Sequence, residues 1–325
     1  MTPFAMSAPE PDTAAERHFI AIEIGGTKLQ ICSGTEDGRV LERRRFPVQP
    51  DAGAAGIRAR IAETLPAMIG SWRPHAVGVG YGGPVERPTG RIVKSHHVPG
   101  WDGFPLGEWL AGMTDLPVIV DNDANVAALG EAILGAGRGC DPVFYVTAGS
   151  GVGGGLVCGG RLYHGSGAGE AEIGHLRIGP AGGIVEDACS GWSLDRQVRA
   201  AVAASPEGPL AARVRADPGH EARHLAAAIA EGDPLATRIL DGAARTLGLA
   251  LSHVAHLVHP EIIVLGGGVS LSGEPWRRAV AAHLRHFLMA ALHPGPRVAL
   301  SALREDAVPV GALALAARHG DRERP

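Results

Sequence analysis

Two strand–glycine turn–strand units about 120 residues apart constrain the fold of this chain more than any other feature. In the first, HFIAIEIGGTKLQICSG, Ile20, Ile22 and Ile24 alternate up to Gly25-Gly26, and Leu29 and Ile31 alternate after Thr27. That pattern predicts a strand, a tight turn and a second strand. The second unit, PVFYVTAGSGVGGGLVCGG (142–160), repeats the theme. An internal repeat of this kind is informative about the fold. Asp37-Gly38 marks a further turn into a strand over 40–48, whose Arg43, Arg44 and Arg45 read as a solvated sheet edge.

Between and after the repeats, strands and helices alternate without a long linker. Residues 53–70 predict an amphipathic helix, and AVGVGYGGPV (76–85) a buried strand ending in a glycine turn. VIVDNDANVAALGEAIL (118–134) predicts a strand running straight into a helix, with Asp121, Asn122 and Asp123 at its carboxyl end, where open α/β sheets bind ligands. Helices are expected at 221–231, 234–258, 274–292 and 307–318, and a strand at 261–268. The expectation is an α/β protein of two lobes: residues 18–120 with 306–319, and residues 121–305. Tails are expected at 1–17 and 320–325.

Glycine contributes 47 of 325 residues, about twice its usual share, and clusters in short turns after apolar runs. Such turns gather backbone N–H groups into concavities that suit phosphate oxygens. Three of them stand out: Gly25-Gly26-Thr27-Lys28, Gly149-Ser150-Gly151 and Gly266-Gly267-Gly268, with Thr147 and Lys28 as further donors. Gly149–Gly154 also matches GxGxxG, with Glu170 or Glu172 about 20 residues on. A second strand follows it instead of a helix, so no helix N-terminus is there to hold a pyrophosphate. No GxxxxGK[ST] occurs, which excludes a P-loop NTPase.

The net charge of −4 argues against a nucleic-acid partner held by a basic surface. No run of 18 apolar residues predicts a membrane span, and residues 1–17 lack a signal peptide's apolar centre, so a cytoplasmic protein is expected. Cys32, Cys140, Cys158 and Cys189 lie far apart and read as reduced, packed thiols.

Taken in order, these motifs resemble the ROK family of sugar kinases and sugar-responsive regulators, within the two-lobed actin/hexokinase-like (ribonuclease H-like) ATPase fold. The similarity runs from about residue 19 to 318. IEIGGTK and VTAGSGVGGGLV resemble the family's two phosphate motifs, IIVLGGGV its adenosine motif, and VDNDANVAALGE the stretch that supplies a catalytic aspartate. GEAEIGH and GGIVEDACSG resemble its two sugar-contacting segments. The resemblance implies an ATP- and Mg²⁺-dependent hexose kinase, glucokinase-like and acting on the 6-hydroxyl, and a homodimer. Asp123 is then the general base, with Asp121 the competing candidate two residues back on the same strand face. Gly83, Asn122, Asp123, Glu172, His175 and Glu186 are the implied sugar contacts.

Two departures bear on that reading. Glu23 stands where the family's first motif has Asp, an acid that helps hold Mg²⁺ through water, and its extra methylene moves the carboxylate by about 1.5 Å. Zinc-containing members carry three cysteines before the position of Glu186. Here the stretch is GPAGGIVE, and His175 alone cannot complete a four-ligand site, so no zinc is expected. Trp101 falls in a loop that borders the sugar pocket in the family, with His97 in place of a common asparagine. His253, His256 and His259 read as a surface stripe.

Three alternatives to a glucokinase remain at this level. One is a kinase for an amino or N-acetylated hexose, and another a catalytically weak sugar-binding protein. A sugar-sensing regulator is disfavoured, because Pro-rich, acidic residues precede the first strand where a helix-turn-helix module would lie.

Overall fold

A computed structural model describes residues 16–95, 98–169, 171–179 and 182–320. His97, Glu170 and most of the two expected tails lie outside the described residues. Of the N-terminal tail, Glu16 pairs with Arg39, and Arg17 pairs with Glu36.

The first sheet contains β1 (His18–Ile24), β2 (Lys28–Thr35), β3 (Val40–Pro47), β4 (Val77–Tyr81) and β7 (Val118–Asn122). A small hairpin, β5 (Val85–Glu86) and β6 (Arg91–Ile92), lies beside it. The second sheet contains β8 (Val143–Ala148), β9 (Val152–Cys158), β10 (Arg161–Leu162), β11 (Ile262–Gly266) and β12 (Arg297–Leu300). Their orders are β3-β2-β1-β4-β7 and β10-β9-β8-β11-β12. In each, the first three strands in sequence run antiparallel and the last two add in parallel beside the first. The sequence repeat is therefore a repeat of topology.

Strand alternation assigns the faces. Ile20, Ile22 and Ile24 meet α1 (Gly53–Trp72) and α2 (Leu106–Thr114) through Ile61, Leu65 and Leu106. Phe19 and Ala21 point the other way, onto α3 (Asp123–Leu134) and α10 (Ala307–Gly320). In the second sheet Val143 and Tyr145 face α3 through Ala127 and Ala128. Phe144 and Val146 face the outer helices α4 (Val185–Cys189), α5 (Gly191–Ala204), α6 (Pro209–Ala216), α7 (Leu225–Ala230), α8 (Pro234–Val258) and α9 (Glu274–Phe287). Both sheets are thus buried on two faces, as mixed and parallel sheets require. The helices α3 and α10 form the layer between them.

That layer is thin because its residues are small. A Cβ on Gly311 of α10 would collide with the Val126 carbonyl oxygen of α3, and one on Gly130 would lie 2.5 Å from Ala307 O. Gly311→Ala is expected to force the helices apart and cost about 2 kcal/mol of stability, read from urea unfolding. An unchanged midpoint would show that α10 moves freely.

Most predicted elements stand within a few residues of their expected ends. The helix expected over 274–292 is shorter. It ends at Phe287, because Leu288 leaves in extended conformation (φ −74, ψ 141) to enter the core, and a 3-10 turn follows at Ala290–Leu292. The last helix runs two residues further than expected, to Gly320. The short helices α2, α4 and α6 and strand β12 carry too little periodicity to be read from the sequence. The helix α5, whose Leu194, Val198, Ala201 and Val202 do follow helical spacing, is a further helix that the sequence reading did not include. Arg43, Arg44 and Arg45 do lie on an edge strand, where they pair with Asp306, Glu42 and Glu305.

Candidate functional site

A cavity of about 490 Å³ opens at the ends of the strands between the two sheets. Gly25, Gly26, Thr27 and Lys28 form one wall, the β1–β2 turn closed by Gly25 N–H donating to Lys28 O at 3.0 Å. Thr147, Gly149 and Ser150 of the β8–β9 turn form a second. Gly266, Gly267 and Gly268, at the end of β11, form a third. The fold therefore brings the three glycine clusters of the sequence to one place. Gly151 alone points elsewhere: a Cβ there would lie 2.5 Å from Glu186 Oε2.

Asp123 reaches this cavity because of how α3 begins. Asn122 caps the helix, its side-chain oxygen accepting from Ala124 N (2.9 Å) and Asn125 N (3.3 Å). A capping residue with extended backbone (φ −63, ψ 143) ends β7 and starts α3 in one step, which leaves Asp123 at the first helical position. The glycine run of β9 seats the helix: a Cβ on Gly155 would lie 2.7 Å from Ala124 O. Those glycines of the second motif thus make room for α3 and lie behind the turn.

The environment of Asp123 is unfavourable to charge. Burial foremost, then the negative charges of Glu23 and Glu172, push its carboxyl up to about 7. It has no ion-pair partner among the described residues. Asp121 differs. It is buried, accepts from Asn122 N (2.8 Å) and Asn125 Nδ2 (3.0 Å), and its Oδ2 lies 2.7 Å from His164 Nε2. Its oxygens are committed to neighbouring groups, whereas Asp123 faces the cavity.

Glu23 also lines the cavity. Its carboxylate lies 3.1 Å from Lys28 Nζ and accepts from Gln30 Nε2 at 2.6 Å. Mg²⁺ keeps several waters and needs only one or two carboxylates beside substrate phosphates. Glu23 and Asp123 supply a donor set of that kind. Among the described residues there is no group of three or more His, Cys, Asp or Glu placed to hold a metal ion.

Apart from Asp123 itself, the expected sugar contacts are not among the residues that line the cavity, but several lie close to Asp123. Asn122 Nδ2 donates to Gly83 O at 3.1 Å, and a Cβ on Gly82 would lie 3.3 Å from Asp123 Oδ2. Glu172 acts on Asp123 through its charge, and His175 N–H donates to Glu172 O at 3.1 Å in a 3-10 turn, Ile173–His175. Glu186, on α4, accepts from Val152 N at 2.8 Å and so braces the β8–β9 turn. Trp101, expected in a loop that borders the sugar pocket, is a core residue of that loop. It is fully buried, edge-on to Tyr81 (5.7 Å) and Phe104 (5.4 Å), and supports the strand that leads into Gly82-Gly83. His253, His256 and His259 are all exposed.

Sequence motifs gave no warning of the fourth wall. Leu300 ends β12, and Ser301, Arg304 and Glu305 belong to the crossover from it to α10, which has no recognisable pattern. Tyr145, a residue of the strand β8, lines the cavity as well, its phenol held neutral by burial. The alternation along β8 places it on the α3 face and was the available signal.

Comparison with known proteins adds to this geometry. The sequence profile of the ROK family matches residues 19–319. A glucokinase of Halalkalibacterium halodurans is 32% identical over 311 residues, covering 91% of this chain and 94% of its own. A glucokinase of Thermotoga maritima is 31% identical over 306 residues, covering 91% and 96%. The crystal structure of a ROK family glucokinase from Streptomyces griseus in complex with glucose and AMPPNP matches with a TM-score of 0.82 at 32% identity. It covers 93% of this chain and 99% of that one.

Proposed function

The chain belongs to the ROK family and has its actin-like ATPase fold, and from that premise we propose that it transfers the γ-phosphoryl group of ATP to a hexose, most simply to the 6-hydroxyl of glucose. The glucokinase relatives support a sugar kinase. One observation carries the finer reading. Asp123 is an unpaired carboxyl at the boundary between a glycine-walled cavity and the Gly83–Asn122 pair, and its environment raises it to about 7.

In this reading the nucleotide lies along the three glycine walls, whose N–H groups and Lys28 meet its phosphates. The sugar lies against Gly83, Asn122, Glu172, His175 and Glu186. Asp123 accepts the proton of the attacking hydroxyl as its oxygen bonds to the γ-phosphorus, and the bond to the β-phosphate oxygen breaks to release ADP. Glu23, through water, and Asp123 would hold Mg²⁺, which would supply positive charge to offset that of the phosphates. Residues 18–120 with 306–319 would form one lobe and 121–305 the other, closing on the sugar to exclude water.

The test is ADP release with ATP and Mg²⁺ across a panel of hexoses, amino sugars and N-acetylated sugars. Turnover on glucose supports the reading. Turnover on an amino or N-acetylated sugar alone replaces the substrate. Sugar binding without turnover on any would make the chain a sugar-binding protein.

A pH profile tests the base. Only ionised Asp123 accepts a proton, so kcat/KM for the sugar is expected to rise with pH through about 7 and level off above it. A profile flat down to pH about 5 would remove Asp123 from this role.

A further inference from the structure

We propose that Arg304 is a binding residue for the phosphate-bearing donor, an assignment that rests on the kinase reading above. Three observations meet at this residue.

The first is charge. Five charged residues line the cavity: Glu23, Lys28, Asp123, Arg304 and Glu305. Lys28 is paired with Glu23, and Glu305 with Arg45 of the sheet edge. Asp306, the other acid beside Arg304, is paired with Arg43. Among the described residues the Arg304 guanidinium has no hydrogen-bond or ion-pair partner. It is the uncommitted cation of a cavity whose other walls suit phosphate, and a planar guanidinium fork matches phosphate oxygens in pairs.

The second is the support beneath it. The segment that carries Arg304 is fixed by the buried carboxylate of Glu131 on α3. That group accepts from Ser301 Oγ (2.5 Å), Leu303 N (2.9 Å) and Ala302 N (3.3 Å). Ser301 Oγ in turn accepts from Arg304 N at 2.8 Å. Glu131 is therefore a positioning residue: a chain of hydrogen bonds from the helix that presents Asp123 ends on the backbone of Arg304.

The third is backbone conformation. Arg304 has φ 52, in the left-handed region that favours glycine. Non-glycine residues are held there where the surroundings over-determine them, and such positions cluster at ligand clamps.

The same geometry supplies a clean variant. Arg304→Gly removes the guanidinium and suits the left-handed backbone, so the fold is not weakened. With ADP and Mg²⁺ as the calorimetric probe, R304G is expected to bind about tenfold more weakly than the wild type, the scale of a charge-assisted hydrogen bond. KM for ATP rises in parallel and KM for the sugar is unchanged. R304K, which keeps the charge without the fork, falls between the two. R304G binding ADP as tightly as the wild type would overturn the assignment while leaving the kinase reading standing. A wild type that binds no ADP would overturn both.

Discussion

Asp123→Asn is expected to lower sugar phosphorylation by about 10³-fold, within the range for loss of a positioned general base. Sugar and ADP binding should be largely retained, because Asn122, Gly83 and the glycine walls do not depend on that charge. The same substitution is expected to stabilise the protein, and the sign follows from linkage. The folded-state pKa of Asp123 is raised to about 7 from 3.8, so the ionised form is disfavoured by the fold. Wild-type stability relative to the variant therefore declines as pH rises from 3.8 towards 7, and the deficit is complete above 7. At pH 8 the Asn variant should be more stable by on the order of 3 kcal/mol, and near pH 4 the two should converge. Thermal unfolding at the two pH values, beside single-turnover assays, reads both effects. A variant with wild-type turnover would end the assignment of the base. A variant that is inactive but no more stable at pH 8 would mean that the carboxyl is less strained by its surroundings than its burial implies.

The reason this residue could be found from sequence is local. Asn122 and Asp123 sit where a strand becomes a helix in a single step, and the capping side chain that makes the step is itself in the motif. The glycine turns were legible for the same reason, since alternation on each side of them sets strand, turn and strand within a short stretch. Legibility fails where the determining partner is remote. The hydrogen bond from Ser301 to Glu131 spans 170 residues, and although Glu131 lies in a helix that the sequence marks, nothing in that stretch points to its remote partner. Trp101 shows the same limit from another side. Its place in a loop does not announce that the ring is buried against Tyr81, a contact set by how the loop after β6 folds back on the first sheet. The helices α4 and α6 are short and set off by Ser190, Pro206 and Gly208, so neither builds the period that marked α8. Between them α5 has a single stripe, Leu194, Val198, Ala201 and Val202, among many polar residues.

Glu131 carries the other large effect, because so many donors converge on one carboxylate. Besides the three from the crossover, Ala136 N donates to it at 2.7 Å, just beyond the end of α3. Glu131→Ala leaves these donors without their acceptor, that of Ser301 in a buried position and the others in partly buried ones. Each orphaned donor costs about 1–3 kcal/mol, and with two or three of them fully affected the loss is expected to be about 4 kcal/mol. Glu131→Gln keeps the shape and one acceptor oxygen, but its amide nitrogen must face N–H groups, so its loss should be about half as large. The location makes the effect more than a local one. The two chain segments that join the sheets are α3 with its entry at Asn122 and the crossover from β12 to α10, and Glu131 is hydrogen-bonded across from one to the other. Loosening it should let the halves unfold less cooperatively, seen in urea as a shallower or split transition. Because the crossover also carries Arg304, Glu131→Gln should raise KM for ATP more than KM for the sugar. A Gln variant that loses stability yet keeps both KM values would confine Glu131 to holding the fold. An Ala variant as stable as the wild type would mean that the crossover finds other acceptors.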